Sequence, residues 1–145
     1  MLVAVSLYLW GTKIDPQRLT ELLGVPPSTA RAKGEARTLS TQQVVTARIG
    51  VWEFSTDPEL SSVVLADHLD LLRSRFGPTW AMIADLPDVE EACVDVFVAI
   101  NAKADGTEGS FEMSPKNLSD LQQLGLPVRF TVAFTDVART IDEEP

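Results

Sequence analysis

The chain has 145 residues, of which 45% are hydrophobic and 23% are charged, and its formal net charge is −9. This length and composition predict one globular domain over residues 1–145 with enough apolar side chains for a core. The negative charge repels phosphate backbones and anionic lipid headgroups, which argues against nucleic acid and membranes as partners and favours a basic partner. The single cysteine, Cys93, excludes an internal disulfide, and with one histidine, His68, the chain lacks zinc-finger spacing.

The N-terminal segment MLVAVSLYLW is apolar but much shorter than the roughly 18 residues that a membrane-spanning helix requires. It also lacks the basic start and the small-residue cleavage site of a secretory signal. Aliphatic residues occupy the odd positions from Val3 to Leu9, which is the period-two pattern of a strand with one buried face. We therefore expect a strand here, no membrane span and a cytoplasmic protein.

A helix is predicted after this strand. Asp15 can accept hydrogen bonds from the first N–H groups, and Pro16 fits the first helical position because its missing N–H is not needed there. Gly24, with a proline two residues later, ends the helix. The phrase DPQRLTELLGVPP at residues 15–27 has a counterpart, SPKNLSDLQQLGLPV, at residues 114–128. Each matched position is a cap, an apolar residue or a stop signal, so the repeat predicts scaffolding rather than chemistry.

The rest of the chain alternates between strand and helix patterns. The predicted elements after the first helix are a strand at 44–54, a long helix at 57–76, a strand at 91–100, a short strand at 110–113, a second capped helix and a final strand at 128–134. This order favours an α+β fold: a single, mostly antiparallel sheet of four or five strands with helices on one face. The repeat suggests two related β-α-β halves in a variant of the ferredoxin-like fold.

Several segments, taken in order, resemble one bacterial family. They are LGVPPSTARAKGE after the first helix, IGVW in the second strand, DHLDLL in the long helix and GSFEMSPKNLSDLQQLGLPV near the end. On these segments the chain resembles the domain of unknown function 4279 family over most of its length. The resemblance supplies no activity, cofactor or catalytic residue to transfer. Some small acidic bacterial families of this kind are immunity proteins, and the resemblance is compatible with that role.

Few residues in the sequence are suited to catalysis. The sequence has no motif of a phosphate-binding loop, a serine hydrolase, a zinc protease or a dithiol redox site. His68 borders the predicted core beside Val64 and Leu72 without a partner to orient it as a general base, so we interpret it as structural. Cys93 is expected to be a small buried hydrophobe on a central strand. The acids of DLPDVEE lack calcium-loop spacing, and we predict no metal and no cofactor.

Strand alternation predicts a candidate binding surface. We expect the aliphatic face of each strand to lie under the helices, a set that includes Val45, Ile49, Val51, Phe130, Val132 and Phe134. The opposite face then carries Tyr8, Trp10, Arg48, Trp52, Phe54, Asp95, Phe97 and Arg129. Aromatic and arginine side chains are typical anchors of recognition surfaces. Three roles stay open: a binding face, a dimer interface, or core covered by the loop at 26–43. A bulge at Gly50 would move Trp52 to the other side.

Two functions are compatible with these features. The first is a non-catalytic binding protein, with immunity as one form of it, whose acidic surface binds a basic protein partner. The second is a small-molecule site, or an enzyme, between the sheet face and the loop that carries Arg31, Lys33 and Arg37, where an anionic metabolite would suit the positive charge. Nucleic-acid binding by an aromatic sheet face requires a basic field that this chain lacks.

Overall fold

The computed structural model describes residues 1–106 and 109–135. Its strands and helices are β1 (Leu2–Gly11), α1 (Pro16–Leu23), β2 (Thr29–Arg31), β3 (Ala36–Thr38), β4 (Val44–Thr46), β5 (Gly50–Ser55), α2 (Leu65–Phe76), β6 (Glu91–Asn101), α3 (Pro115–Leu124) and β7 (Val128–Thr135). A 3₁₀ helix, Gly77–Asp85, follows α2 directly. The predicted α+β class is confirmed.

Five strands form one mixed, mostly antiparallel sheet in the order β2-β5-β1-β6-β7, and β3 and β4 form a separate two-stranded sheet. The central strand β1 is antiparallel to both β5 and β6, β2 is antiparallel to β5, and β7 is parallel to β6. Both repeated phrases therefore connect parallel strands: α1 leads from β1 to β2, and α3 leads from β6 to β7. The two units are not equivalent, because β5 lies between β1 and β2 whereas β6 and β7 are neighbours.

The repeated phrases supply the ends of α1 and α3. The Asp15 side chain accepts hydrogen bonds from the N–H groups of the second and third residues of α1. Ser114 caps α3 and forms a capping box with Asn117, in which each side chain accepts a hydrogen bond from the backbone N–H of the other residue. Both helices end at a glycine in the left-handed conformation, Gly24 and Gly125. These contacts account for the repeat by local backbone chemistry.

The long helix α2 begins at Leu65, so the prediction that it starts at Asp57 was wrong. Ser62 holds the segment just before α2 in a non-helical turn. Its hydroxyl accepts a hydrogen bond from the N–H of Val64 at 3.0 Å, and its carbonyl accepts one from Nε2 of His68 at 2.6 Å. The short strand predicted at 110–113 is also wrong, because these described residues have no strand conformation.

The helices and the sheet share one core, which lies on the side of Val3, Val5, Leu7 and Leu9. Trp52 and Phe54 belong to this core, so the prediction that they lie on the opposite face was wrong. Trp52 pairs with Leu9, and Phe54 pairs with Leu7, and directly paired residues of neighbouring strands share a face. The indole N–H of Trp52 also donates to the hydroxyl of Thr20 on α1 at 3.1 Å.

The error arose because the predicted strand 44–54 is two strands. β4 ends at Thr46 and β5 begins at Gly50, so alternation does not run through the intervening residues. The predictions that Val45, Ile49 and Val51 lie under the helices were therefore wrong as well. Val45 lies in the small sheet, Ile49 is exposed in the connection, and Val51 pairs with Trp10 on the side away from the helices.

Candidate binding face

The side of the five-stranded sheet opposite the helices is termed the open face. The paired registers place on it, among others, Ala4, Ser6, Tyr8, Trp10, Val51, Glu53, Glu91, Cys93, Asp95, Phe97, Arg129 and Thr131. Five residues predicted for one surface, Tyr8, Trp10, Asp95, Phe97 and Arg129, are thus brought together by three neighbouring strands.

Two aromatic rings form the centre of the open face. Tyr8 and Trp10, two residues apart on β1, stack in parallel with their ring centroids 5.2 Å apart. The guanidinium carbon of Arg129 lies 5.8 Å from the Tyr8 centroid and 5.9 Å from the Trp10 centroid, within cation–π range of both. The rings are half-buried, so each presents part of its surface to solvent.

Arg129 is held in this position by a buried carboxylate. Its Nε donates to Oδ1 of Asp95 at 2.9 Å, and the hydroxyl of Thr131 donates to the same oxygen at 2.7 Å. The hydrogen bond to Asp95 raises the pKa of Arg129 further above its ordinary value, so the guanidinium stays charged. The Asp95 side chain is 8% exposed and that of Arg129 is 53% exposed. The cation is therefore both anchored and accessible.

Glu53 on β5 pairs with Tyr8 and adds a carboxylate beside the phenol. Burial raises the pKa of Tyr8 to about 12, and a hydrogen bond with Glu53 and the negative charges of Glu53 and Asp95 act in the same direction. Sequence reasoning missed Glu53 because it placed the neighbouring Trp52 on this face. It also missed Thr131, although the alternation that includes Arg129 would have placed it on the open face.

A cavity of ≈ 600 Å³ adjoins the ring stack at one end of the sheet. Trp10, Cys93 and Arg129 line it together with the acids Glu90 and Glu91 and the apolar residues of the turn into β7. The side-chain and backbone hydrogen bonds from Thr12 lower the pKa of Glu90, so this carboxylate is ionised at neutral pH. The cavity thus combines aromatic, cationic and anionic walls.

The structure distributes the other predicted site residues over several places. Arg31 lies on β2 opposite Val51, which in turn pairs with Trp10, so Arg31 is two strands away from the ring stack on the same side. Lys33 follows β2 and is exposed, close enough to Glu90 to lower its pKa. Arg37 lies on β3 and Arg48 in the connection from β4 to β5, so both belong to the region of the small sheet. Trp52 lies in the core.

The environments of Cys93, the candidate nucleophile, and His68, the candidate base, indicate structural roles for both side chains. Burial raises the pKa of the Cys93 thiol, and the positive charge of Arg129 does not offset this. His68 is fully buried, and its Nε2 donates to the Ser62 carbonyl, so its Nδ1 accepts from the hydroxyl of Thr56 at 2.7 Å. Thr56 Oγ1 accepts in turn from the N–H of Val5 at 2.9 Å. Nδ1 thus links α2 to β1 through Thr56, whereas Nε2 ties α2 to the segment that precedes it.

A second, larger cavity of ≈ 740 Å³ lies elsewhere, between the start of α2 and residues 110–115. Its walls are mainly apolar side chains such as Val64 and Phe111, and Glu112 is its one acidic or basic residue. Within residues 1–106 and 109–135, three or more His, Cys, Asp or Glu side chains nowhere gather as a metal site would require. Among the helices described, none combines the length and the apolar character of a membrane span.

Comparison with known proteins gives one result. Neither a curated protein nor a solved structure matches the chain significantly. The model of one protein family matches residues 1–135, which include every element from β1 to β7. The chain therefore belongs to the family described as domain of unknown function (DUF4279), as the sequence resemblance predicted.

Proposed function

We propose that this chain is a non-catalytic binding protein whose open face binds a protein partner with a basic surface. The observation that carries the proposal is the cluster of Tyr8, Trp10 and Arg129 on the side of the sheet away from the helices. Tyrosine, tryptophan and arginine are the residues that most often dominate the binding energy of protein interfaces. A bacterial immunity protein that binds a toxin is one specific form of this proposal.

The arrangement of the cluster favours tight binding because its parts are already fixed. The rings support each other by stacking, and Asp95, which also accepts a hydrogen bond from Thr131, holds Arg129 over them. A partner would therefore immobilise few side chains on docking, which lowers the entropic cost of association.

Charge favours a basic partner. Asp95 balances the charge of Arg129, so the neighbouring acids Glu53 and Glu91 give this part of the open face a negative character. The whole chain carries a net charge of −9, which attracts a basic protein at long range and repels nucleic acid.

The environments of His68 and Cys93 support the non-catalytic part of the proposal. Both nitrogens of the His68 ring are engaged in the core, and the raised pKa of Cys93 disfavours the thiolate that a nucleophile requires.

The test is affinity capture from the native lysate with the intact chain as bait. We expect a basic protein that binds at low salt, binds less at high salt, and is lost with Trp10→Ala. Phe111→Ala is the matched control, because this exposed aromatic lies at the other cavity. The proposal fails if no salt-sensitive protein is captured, or if Trp10→Ala captures it as well as the Phe111→Ala variant does.

The cavity beside Trp10 supports a second candidate function, binding of an anionic small molecule. Arg129 supplies a fixed positive charge there and Trp10 a flat apolar wall. In this alternative the ligand lies on the β6–β7 side of Trp10 rather than against the loop with Arg31, Lys33 and Arg37. A thermal-shift screen of anionic metabolites tests it: a ligand should raise the melting temperature of the wild type but not of Arg129→Ala.

We also interpret the two β-α-β units as related halves of a ferredoxin-like variant. The matching N-terminal caps and C-terminal glycines of α1 and α3 support this view.

A further inference from the structure

The strand β7 forms one end of the five-stranded sheet, and its helix-side residues are largely uncovered. The parallel register pairs Phe130, Val132 and Phe134 with Val96, Val98 and Ile100 of β6, so they lie on the helix side as predicted. Yet they are 56%, 52% and 64% exposed, so the prediction that the helices cover them was wrong. Three large apolar side chains in a row at a sheet edge form an apolar strip of the kind that marks interaction sites.

The backbone of the same residues faces away from the sheet. The N–H of Val94 donates to the carbonyl of Pro127 at 2.9 Å, so the odd-numbered residues of this stretch direct their polar groups toward β6. The N–H and C=O groups of the even-numbered residues, Val128 to Phe134, then point outward. Each residue of the apolar strip thus presents both an exposed side chain and a backbone donor and acceptor at the edge.

Among the described residues, nothing protects the edge of β7 from pairing in the usual ways. The strand has eight residues, no proline and no lysine or acid, and its one charge, Arg129, is held by Asp95 on the open face. The other edge strand, β2, has three residues and offers a much shorter template. In a chain of net charge −9, β7 is a stretch where a second copy meets little repulsion from like charge.

We propose that β7 pairs antiparallel with β7 of a second copy of this chain, around a two-fold axis at Val132. The sequence Phe-Thr-Val-Ala-Phe at 130–134 has the same order of large and small residues in both directions. In this register Phe130 lies opposite Phe134 of the second copy, Val132 opposite its equivalent, and every outward backbone group of residues 130–134 has a partner. The two sheets join into one of ten strands.

The contact is small, so the dimer is weak and depends on concentration. At roughly 200 Å² per aromatic side chain, the exposed parts of the two phenylalanines amount to about 240 Å² per copy. Even with Val132 and the backbone added, the total falls at the lower end of specific interfaces. This dimer is independent of the proposed function, because it uses the edge and the helix side of β7 rather than the open face.

Sedimentation velocity from low micromolar to near-millimolar concentration provides the first test. The average mass of the wild type should rise toward that of a dimer, and Val132→Arg should stay monomeric because two like charges would meet at the axis. Leu118→Arg is the control, since Leu118 is an equally exposed apolar residue on α3. A monomeric wild type, or a Val132→Arg variant that dimerises normally, overturns the proposal.

Cross-linking tests the register. In a Cys93→Ser background, Val132→Cys places two thiols on a hydrogen-bonded antiparallel pair with Cα atoms about 5.5 Å apart, within the reach of a disulfide. Phe130→Cys is the control, because its equivalents would lie four positions out of register, roughly 13 Å apart along the strand. Oxidation should cross-link the first variant and not the second. Equal cross-linking of both, or of neither, contradicts this pairing.

Discussion

The Nε atom of Arg129 on β7 donates a hydrogen bond to Oδ1 of Asp95 on β6, its direct neighbour in the parallel register. The carboxylate of this pair is buried, whereas the guanidinium is more than half exposed. Loss of the arginine and loss of the aspartate therefore have different consequences for stability. Without the arginine a buried charge remains, whereas without the aspartate a cation remains that water can solvate.

The first prediction concerns this asymmetry. Arg129→Ala should lower the free energy of unfolding more than Asp95→Ala does, because it leaves the Asp95 carboxylate with Thr131 as its remaining donor. The double variant should be at least as stable as Arg129→Ala alone, because the buried charge is then gone. Urea unfolding of the four proteins measures this. An Asp95→Ala variant that is as destabilised as Arg129→Ala, or a double variant that is less stable than Arg129→Ala, would contradict this asymmetry.

The second prediction separates the three tryptophans. Trp52 and Trp80 are buried and Trp10 is half-buried on the open face, so acrylamide should quench chiefly the fluorescence of Trp10. Trp10→Phe should remove the quenchable fraction. Trp52→Ala should destabilise the protein by about 3–5 kcal/mol, as expected for a large core side chain, and Trp10→Ala by about 1 kcal/mol or less. If Trp52 proved to be the quenchable residue, our assignment of faces would be wrong.

The different outcome for these tryptophans shows which part of the site was predictable. Along β1 and β6 the alternation is uninterrupted, and it assigned Tyr8, Trp10, Asp95 and Phe97 to the correct face. In a strand without a break, every second residue stays on the same side of the sheet. Between β4 and β5 the chain leaves the strand conformation for three residues, so the side of the sheet on which Val45 lies does not determine the side on which Trp52 lies. Gly50, at which β5 begins, was the available signal.

It was harder to predict which strand residues the helices cover than to predict on which side of the sheet those residues lie. Phe130, Val132 and Phe134 have the alternation of a buried face, and their side of the sheet was predicted correctly. Whether a helix reaches the last strand depends on the lengths and angles of the helices, which periodicity does not contain. The start of α2 escaped prediction for a similar reason, because the contact between His68 and Ser62 that keeps residue 62 out of the helix joins residues six positions apart.

The third prediction concerns Gly11, at the end of β1. A Cβ added there would overlap the carbonyl oxygen of Asp88, which is part of the backbone and cannot rotate away. Gly11→Ala should therefore destabilise the protein by about 1–3 kcal/mol and shift the turn that carries Glu90, whose N–H donates to the carbonyl of Trp10. Thermal unfolding measures the cost. Gly109→Ala, where a Cβ meets nothing within 4 Å, is the control, and an equal loss in both variants would contradict the explanation.

The fourth prediction assigns His68 to stability. His68→Leu should lower the free energy of unfolding by about 2–4 kcal/mol, because it removes the acceptor of the Thr56 hydroxyl proton and the donor to the Ser62 carbonyl. Binding of a partner to the open face should be unchanged at a temperature where the variant is folded. Urea unfolding and affinity capture measure the two effects. A variant that folds with full stability but fails to bind would assign His68 to the site instead.

The fifth prediction uses Tyr8, the one tyrosine of the chain, whose ionisation can be followed directly by absorbance near 295 nm. Burial and the nearby carboxylates favour the neutral phenol and raise its pKa from the ordinary value of about 10 to about 12. In the unfolded chain the phenol ionises near its ordinary pKa, so between these two pH values the unfolded state binds fewer protons than the folded state. The contribution of Tyr8 to stability is thus present below pH 10 and is lost as pH rises toward 12. Glu53→Gln should lower the titration midpoint of the folded protein, because it removes the negative charge beside the phenol and leaves a neutral amide in its place. A wild-type midpoint at the ordinary value, or one that Glu53→Gln leaves unchanged, would show that Tyr8 lies in water rather than against β5.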